Sequence, residues 1–552
     1  MKNLFKGLAS ITSILLLAVC FGCGSGSGDS SSRTIYSLDA NAAGVMETLN
    51  NIVNLTVVSK DANDLYAEYR AGFIQSKLQA RTILSARDNN WDNAYRTDPN
   101  HAFPKQLGPT QAELTTAAGL LNSNYAAFLQ YLKNPATDAI TAQRLKRLLF
   151  RMLGIYHGTS LKQPASLDFS GNWLPDANYF NATELALGYQ TTSLTFMDIY
   201  YLNAYNDMMD VISSSLELGP LGGMDRPDKC SAFLKRSGSE VILTHNSWMG
   251  FLSQTMTQTF AVNGDLLTVN ASTPGLIGSG TDFGYNNKGL MFNETTHRAS
   301  VIKAKPDGLW IFWRATLAEQ FSASISDFFN AISLDNSGTY LNGYMLVDAK
   351  NNETGLVEMS YRCFIYYRSN GGPYVVSSKS MDGGACSLDY DADMVTADYL
   401  MGINYPASIQ VANDLASTDN RPARRRQFKQ LLPGVTTVDG AKSVITYTDP
   451  ANPLSIFGRW DLGYGETDYP KTIPDGSVDA KVASTGMVRS FMGLSGNLDT
   501  NASSNGFWML FGTAKVNSKP FIWSESIWKT QTLRDVPDRL DGSFTLIPLY
   551  LK

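Results

Sequence analysis

The sequence predicts an α+β protein in which sheets are covered by helices, and three observations point there. Apolar residues recur at helical spacing through residues 39–228. A crowd of glycines and prolines, Gly219, Pro220, Gly222, Gly223 and Pro227, then breaks the pattern. Beyond that break the texture changes to short β-rich runs with helical patterns between them. The 552 residues, 43 % apolar and 17 % charged, suit a chain with a sizeable core. A net charge of -5 without a long Lys/Arg block lacks the footprint of a nucleic-acid binder.

Lys2 and Lys6 precede an apolar run, residues 8–19, that is too short for an ordinary membrane span. Cys20-Phe21-Gly22-Cys23 follows, then Gly and Ser through Ser32. This resembles a lipoprotein signal peptide, with Gly22 in the small-residue place before a lipidated Cys23. Residues 1–22 are then the signal and 23–38 a flexible tether. The expected location is the cell envelope, on the outer membrane, held by a lipid anchor.

Residues 39–229 are expected to be a mainly helical fragment. Thr110 and Glu113 have capping-box spacing. Leu114, Ala117, Leu121, Tyr125, Phe128 and Leu132 continue from it at helical period, and Pro135 ends the run. Leu145, Leu148, Leu149 and Met152 repeat the stripe, and residues 194–212 make a third. After the break, residues 231–235, 241–244, 309–313, 344–348 and 363–367 read as strands. Residues 316–332 read as a helix and 369–393 as a long surface loop.

Two strand-like runs flank Ser237-Gly238. A two-residue loop there predicts a hairpin with Cys230 directly opposite His245, Cβ atoms about 4.5–5.5 Å apart. A thiol beside an imidazole is an arrangement that activates a nucleophile, and also a common way to bury both groups. Three cysteines remain past the signal, Cys230, Cys363 and Cys386, so at least one is unpaired in an oxidising compartment. There is no HExxH, paired CxxC, GxSxG or P-loop among the 552 residues. Asp389, Asp391 and Asp393 begin like a Ca²⁺ loop, but Met394 and Leu400 stand where Gly and Glu are needed. No cofactor and no metal are expected.

The run Cys230-Ser231-Ala232-Phe233-Leu234-Lys235, with the return Thr244-His245-Asn246-Ser247-Trp248, resembles the phospholipase B-like (lamina-ancestor) family. Similar segments follow in order: Glu294-Thr295-Thr296, Tyr344-Met345-Leu346-Val347-Asp348, Asn404-Tyr405-Pro406, Arg459-Trp460-Asp461-Leu462 and Val478-Asp479-Ala480-Lys481-Val482. Upstream, Gly72-Phe73-Ile74-Gln75-Ser76-Lys77-Leu78 is a degraded match, with Gln75 and Ser76 in place of Glu and Gly.

The resemblance implies a four-layer αββα sandwich of the N-terminal-nucleophile hydrolase type. It also implies autocleavage between Lys229 and Cys230, so that residues 230–552 form a hydrolase core beginning with its nucleophile. The freed α-amine titrates near about 7.7–8.0 and serves as the base for the thiol. His245, Asn246 and Asn404 are the implied further catalytic groups, with Asn404 as oxyanion donor. Trp248 would form an apolar wall for an acyl chain, and Arg459 and Asp461 would support the site. The expected substrate is a linear amide or ester, with lipid deacylation as one form, and the expected partner is a membrane reached through the anchor. The alternative is an inactive envelope lipoprotein that keeps the fold for binding or scaffolding. Oligomeric state stays open.

Overall fold

The computed structural model describes residues 33–94, 108–169, 173–215, 230–419, 422–449, 455–458, 475–501, 504–515, 520–526, 529 and 532–552. The expected signal peptide and Cys23 lie outside these residues, as do Lys229, Arg459 and Asp461.

The chain is already a strand by Arg33, before the expected end of the tether. β1 (Arg33–Asp39), β2 (Ala42–Leu49) and β3 (Ile52–Ser59) form an antiparallel ribbon. Asn50 and Asn51 close the second hairpin with φ 46° and 68°, a left-handed pair that asparagine tolerates and that matches strand twist. Four helices follow: α1 (Asp64–Ala94), α2 (Gln111–Lys133), α3 (Ala139–Ser160) and α4 (Phe196–Ser215). The capping box forms as expected. Glu113 N–H donates to Thr110 Oγ1 at 3.3 Å, and Thr110 N–H donates to the Glu113 carboxylate at 2.6 Å. α1 and α3 approach closely because Gly72 and Gly154 lack side chains. A Cβ at either would lie 2.0 Å from a carbonyl oxygen of the other helix.

The second half begins with β4 (Ser231–Ser237), β5 (Glu240–Asn246), β6 (Trp248–Gly250), β7 (Met256–Val262), β8 (Leu266–Ser272), β9 (Phe283–Asn286) and β10 (Leu290–Thr296). α5 (Ile311–Phe321) and α6 (Ile325–Ile332) intervene before β11 (Asn342–Asp348), β12 (Glu353–Met359), β13 (Cys363–Ser369), β14 (Val375–Ser380) and β15 (Tyr399–Gly402). α7 (Ile409–Asp414), α8 (Pro422–Leu431) and α9 (Val438–Ile445) lead to β16 (Asp475–Ser477), β17 (Asp479–Ser484) and α10 (Thr485–Met492). β18 (Ser504–Phe511), β19 (Phe521–Ile522), β20 (Arg539–Leu540) and β21 (Thr545–Leu549) complete the order.

β2 and β3 occupy the start of the segment expected to be mainly helical, and three further expectations change. Residues 311–313, expected as strand, open α5, whose residues are almost all buried. A run that is apolar on every side carries no period to separate helix from strand. The single helix expected over 316–332 is broken at Ser322–Ser324, where Ser324 Oγ caps α6 by accepting the Asp327 N–H at 3.1 Å. The loop expected over 369–393 contains β14.

β1-β2-β3-β7-β8-β9-β10-β11-β12-β13-β14 form one sheet, antiparallel except for the β3–β7 pair. β15-β4-β5-β17-β18-β21 form a second, wholly antiparallel sheet. The two sheets pack face to face, with Asn293 Nδ2 of β10 donating to Thr244 O of β5 at 2.7 Å. α1, α5 and α6 cover the outer face of the large sheet, and α9 and α10 cover the small one. The result is a four-layer α+β sandwich. Leu243, Met291 and Met345 belong to the core between the sheets; Leu148, Phe196 and Trp313 belong to the core under the helical layer. Among the described residues no helix is long and apolar enough to cross a membrane.

Candidate functional site

Cys230 stands at the start of β4, an interior strand of the small sheet. The β4–β5 hairpin turns at Gly238-Ser239, one residue later than expected, and pairs Ser237 with Glu240. Gly238 takes φ 59° at the first loop position, where II′ hairpin turns favour glycine. His245 is therefore opposite Ala232, not Cys230. Moving a turn by one residue changes every pairing by two, and two is the side-chain period of a strand. His245 thus keeps to the face of Cys230 as a diagonal neighbour.

The thiol is free and only 4 % exposed. Cys230 Sγ, a His245 ring nitrogen and an Asp282 carboxylate oxygen all lie within 4.8 Å of one another. Burial pushes the Cys230 thiol well up, Asp282 and Glu294 push it further, and Lys481 and the Trp248 N–H oppose them. The sulfur is consequently a neutral thiol in the uncut chain at neutral pH, and it needs a base. Burial and the Lys481 ammonium drive the proton off His245, so the imidazole is neutral.

Lys481 pairs directly with His245 across β17 and β5. Its fully buried ammonium donates to Asp479 at 2.6 Å and to Ser247 Oγ at 2.8 Å. Asp479 also accepts the Ser247 N–H at 2.8 Å, which fixes the segment facing the thiol.

Arg424, 1 % exposed on α8, closes the other side. Its Nη1 donates to Cys230 O at 2.7 Å, Asn404 Oδ1 at 3.0 Å and Ser231 Oγ at 3.2 Å; its Nη2 donates to Ile403 O at 2.6 Å. The guanidinium lies 5.1 Å from the centre of the Trp248 ring. Asn404 sits in the left-handed region at φ 63°, and its Nδ2 donates to Thr296 O at 2.8 Å. One Nδ2 proton is thereby used and the second is left for another acceptor.

Asn246 does not join this group. Neighbours on a strand point to opposite faces, so Asn246 turns away from His245. Its Oδ1 accepts the Ser231 N–H at 3.0 Å, and its Nδ2 donates to Ile445 O and Ile456 O at 2.8 and 2.9 Å. It anchors the strand next to the nucleophile. Trp248, expected as a substrate wall, is 2 % exposed and packs between Arg424 and Gly458. Cys363 and Cys386 are joined by a disulfide, which leaves Cys230 as the free thiol of the described residues. Asp391 and Asp393 pair with Arg425 and Lys429 on the surface of α8.

Sequence reasoning missed Asp282, Lys481 and Arg424. Lys481 stands in one of the similar segments but had no partner to suggest a role. Arg424 hides in Arg424-Arg425-Arg426, which reads as a solvated charge run. Its spacing from buried Phe428, one helical turn on, was the available signal.

A sequence profile of the family described as Phospholipase B matches residues 179–547. The chain belongs to the phospholipase B family. Cys230, His245, Asp282, Asn404, Arg424 and Lys481 all fall inside the match, whereas β1–β3 and α1–α3 precede it. A relative named Phospholipase B from Crotalus adamanteus is 26 % identical over 359 residues, 57 % of this chain and 62 % of its own length. Phospholipase B-like 1 of Homo sapiens is 29 % identical over 337 residues, 56 % of this chain and 59 % of its own length. The chain thus spans about three-fifths of these two phospholipase B relatives. Among solved structures, penicillin V acylase from Agrobacterium tumefaciens aligns with 52 % of this chain and 84 % of its own at 12 % identity and a TM-score of 0.29, a likeness too slight to bear on function.

Proposed function

We propose that this protein is a self-processing hydrolase of linear amides or esters whose nucleophile is Cys230. The observation that carries the reading is the placement of one free thiol at the start of an interior strand, with an imidazole and a carboxylate within 4.8 Å and its own carbonyl held by Arg424. In the uncut chain the Cys230 nitrogen is an amide. Attack of Sγ on the Lys229 carbonyl transfers the acyl group from nitrogen to sulfur and frees the α-amine. Water then hydrolyses the thioester, giving a Lys229 carboxylate and restoring the thiol. A neutral thiol suits the next stage, because the new amine can accept its proton during attack on substrate. The second Nδ2 proton of Asn404 is the proposed oxyanion donor. Arg424 holds Asn404, Cys230 and Ser231 in one frame and is a positioning residue. Arg459 and Asp461 are the further support residues of this proposal.

Membership of the phospholipase B family and the names of its relatives support carboxylic-ester chemistry, so lipid deacylation is the first activity to assay. The Gly/Ser segment behind Cys23 supports anchoring in the cell envelope, near such a substrate. N-terminal sequencing and intact mass of the purified protein test the reading. Two fragments split at Lys229–Cys230 are expected from the wild type and one unbroken chain from Cys230→Ala. A wild type that stays whole under all conditions overturns it and favours the scaffold alternative.

A further inference from the structure

Cys230, His245 and Asp282 form a ligand set as well as a nucleophile group. Among the described residues, this is the one place where three such side chains bring sulfur, imidazole nitrogen and carboxylate oxygen within 4.8 Å of one another. They come from three separate segments: the residue before β4, the strand β5, and the residue before β9. We propose that these three groups bind one thiophilic divalent cation of the zinc type, and that the bound ion holds the nucleophile inactive.

The donor types decide the kind of ion. A thiolate, an imidazole and a carboxylate suit Zn²⁺ or Cd²⁺, whereas Mg²⁺ and Ca²⁺ seek oxygen alone. A second observation points to a ligand. His245 is fully buried; the Glu294 backbone meets one side of its ring, and no hydrogen bond of normal geometry reaches the other ring nitrogen. Such a ring is costly unless something meets it. Bonds of about 2.3 Å to sulfur and about 2.0 Å to nitrogen require the side chains to draw in by about 1 Å. Asp282 is only partly buried and offers the approach from outside.

The balance is simple. The ion takes the sulfur as thiolate, and the thiol proton leaves to solvent. Cys230 and Asp282 then supply two negative charges against the two positive charges of the ion. The lone pair needed for attack is committed to the metal, so neither the Lys229 carbonyl nor a substrate can be attacked. The ion is an inhibitor, not a cofactor. Binding stands independently of the proposed function; only its effect on cleavage rests on that reading.

The test is a titration of the full chain with Cd²⁺ alone, read by the ultraviolet sulfur-to-cadmium charge-transfer band, with Zn²⁺ as competitor. Cys230→Ser, His245→Gln and Asp282→Asn are titrated alongside, after circular dichroism shows that each is folded. Each variant keeps Cys20 and Cys23, so the difference from wild type reports the site alone. One equivalent of the band is expected to be missing in Cys230→Ser, and affinity to fall about tenfold or more in the other two. An unchanged band in Cys230→Ser, or unchanged affinity in both other variants, overturns the site. Self-cleavage is then followed with Zn²⁺ and after chelation. Full-speed cleavage of the metal-saturated chain overturns the inhibitory role. A chain that binds Cd²⁺ at the site yet never cleaves after chelation leaves the metal site standing and removes the hydrolase reading instead.

Discussion

Between α1 and α3, Glu68 accepts from Arg147 Nε at 3.1 Å and from Arg151 Nε and Nη2 at 2.8 and 2.5 Å, and Arg151 Nη1 reaches Ile277 O at 3.2 Å. The region around Cys230 is buried as well, but its thiol and imidazole are not matched in this way. A buried ion pair whose donors and acceptors are all met holds helices in register and does little else. A buried thiol kept neutral beside a neutral imidazole and a carboxylate is instead primed for a proton and a bond to move. The contrast teaches where chemistry resides: equal burial, different satisfaction.

The largest expected effect breaks the comparison at the site. Cys230→Ala should cut self-cleavage by at least about a thousandfold while leaving the circular dichroism unchanged, because one group is both attacker and leaving-group carrier. Gel analysis over time measures it. In the helical layer, Arg151→Met should cost about 3–5 kcal/mol in denaturant unfolding, since it strips Glu68 of two donors. Cleavage at a permissive temperature should persist; loss of cleavage in a folded Arg151→Met protein would erase the distinction between the regions.

His157 sharpens it through pH. Its ring lies between Tyr69 OH and Tyr179 OH, and burial pushes its pKa down to about 4. The unfolded chain takes up a proton near 6.5 that the folded chain refuses. The stability this gives is whole above pH 6.5 and is lost as pH falls from 6.5 to 4, by up to about 3 kcal/mol. His157→Gln should flatten that acid limb. The smallest effect, at pH 5, concerns Glu319, which burial, opposed by the Ser279 N–H and helped by Asp282, pushes up to about 8. It folds as the neutral acid. Its favourable contribution is whole below about pH 4.5 and is lost as pH rises from 4.5 to 8. Glu319→Gln should change stability by less than about 1 kcal/mol at pH 5 and be stabilising at pH 8.

Much of the site was legible because it is local. The Cys230 strand, its return through His245, and their shared face follow from alternation in a short hairpin, and parity survived even a misplaced turn. The strands of residues 33–59 were harder to see, because their signal is short and one edge strand, β1, is largely exposed. Asp282 and Arg424 were out of reach, since neither is periodic with anything near Cys230.

By itself the sequence determined the capping box that opens α2, the α+β order and the pairing of the thiol strand with the histidine strand, since these depend on residues a few positions apart and on backbone hydrogen bonds. Only the tertiary structure decided which charges surround the sulfur. Asp282 comes with the large sheet, Lys481 from β17 and Arg424 from α8, and they meet because two sheets and a helix stack on one another. The physical reason is distance along the chain: contacts between segments some fifty to two hundred and fifty residues apart are set by packing of whole faces, which no local pattern records.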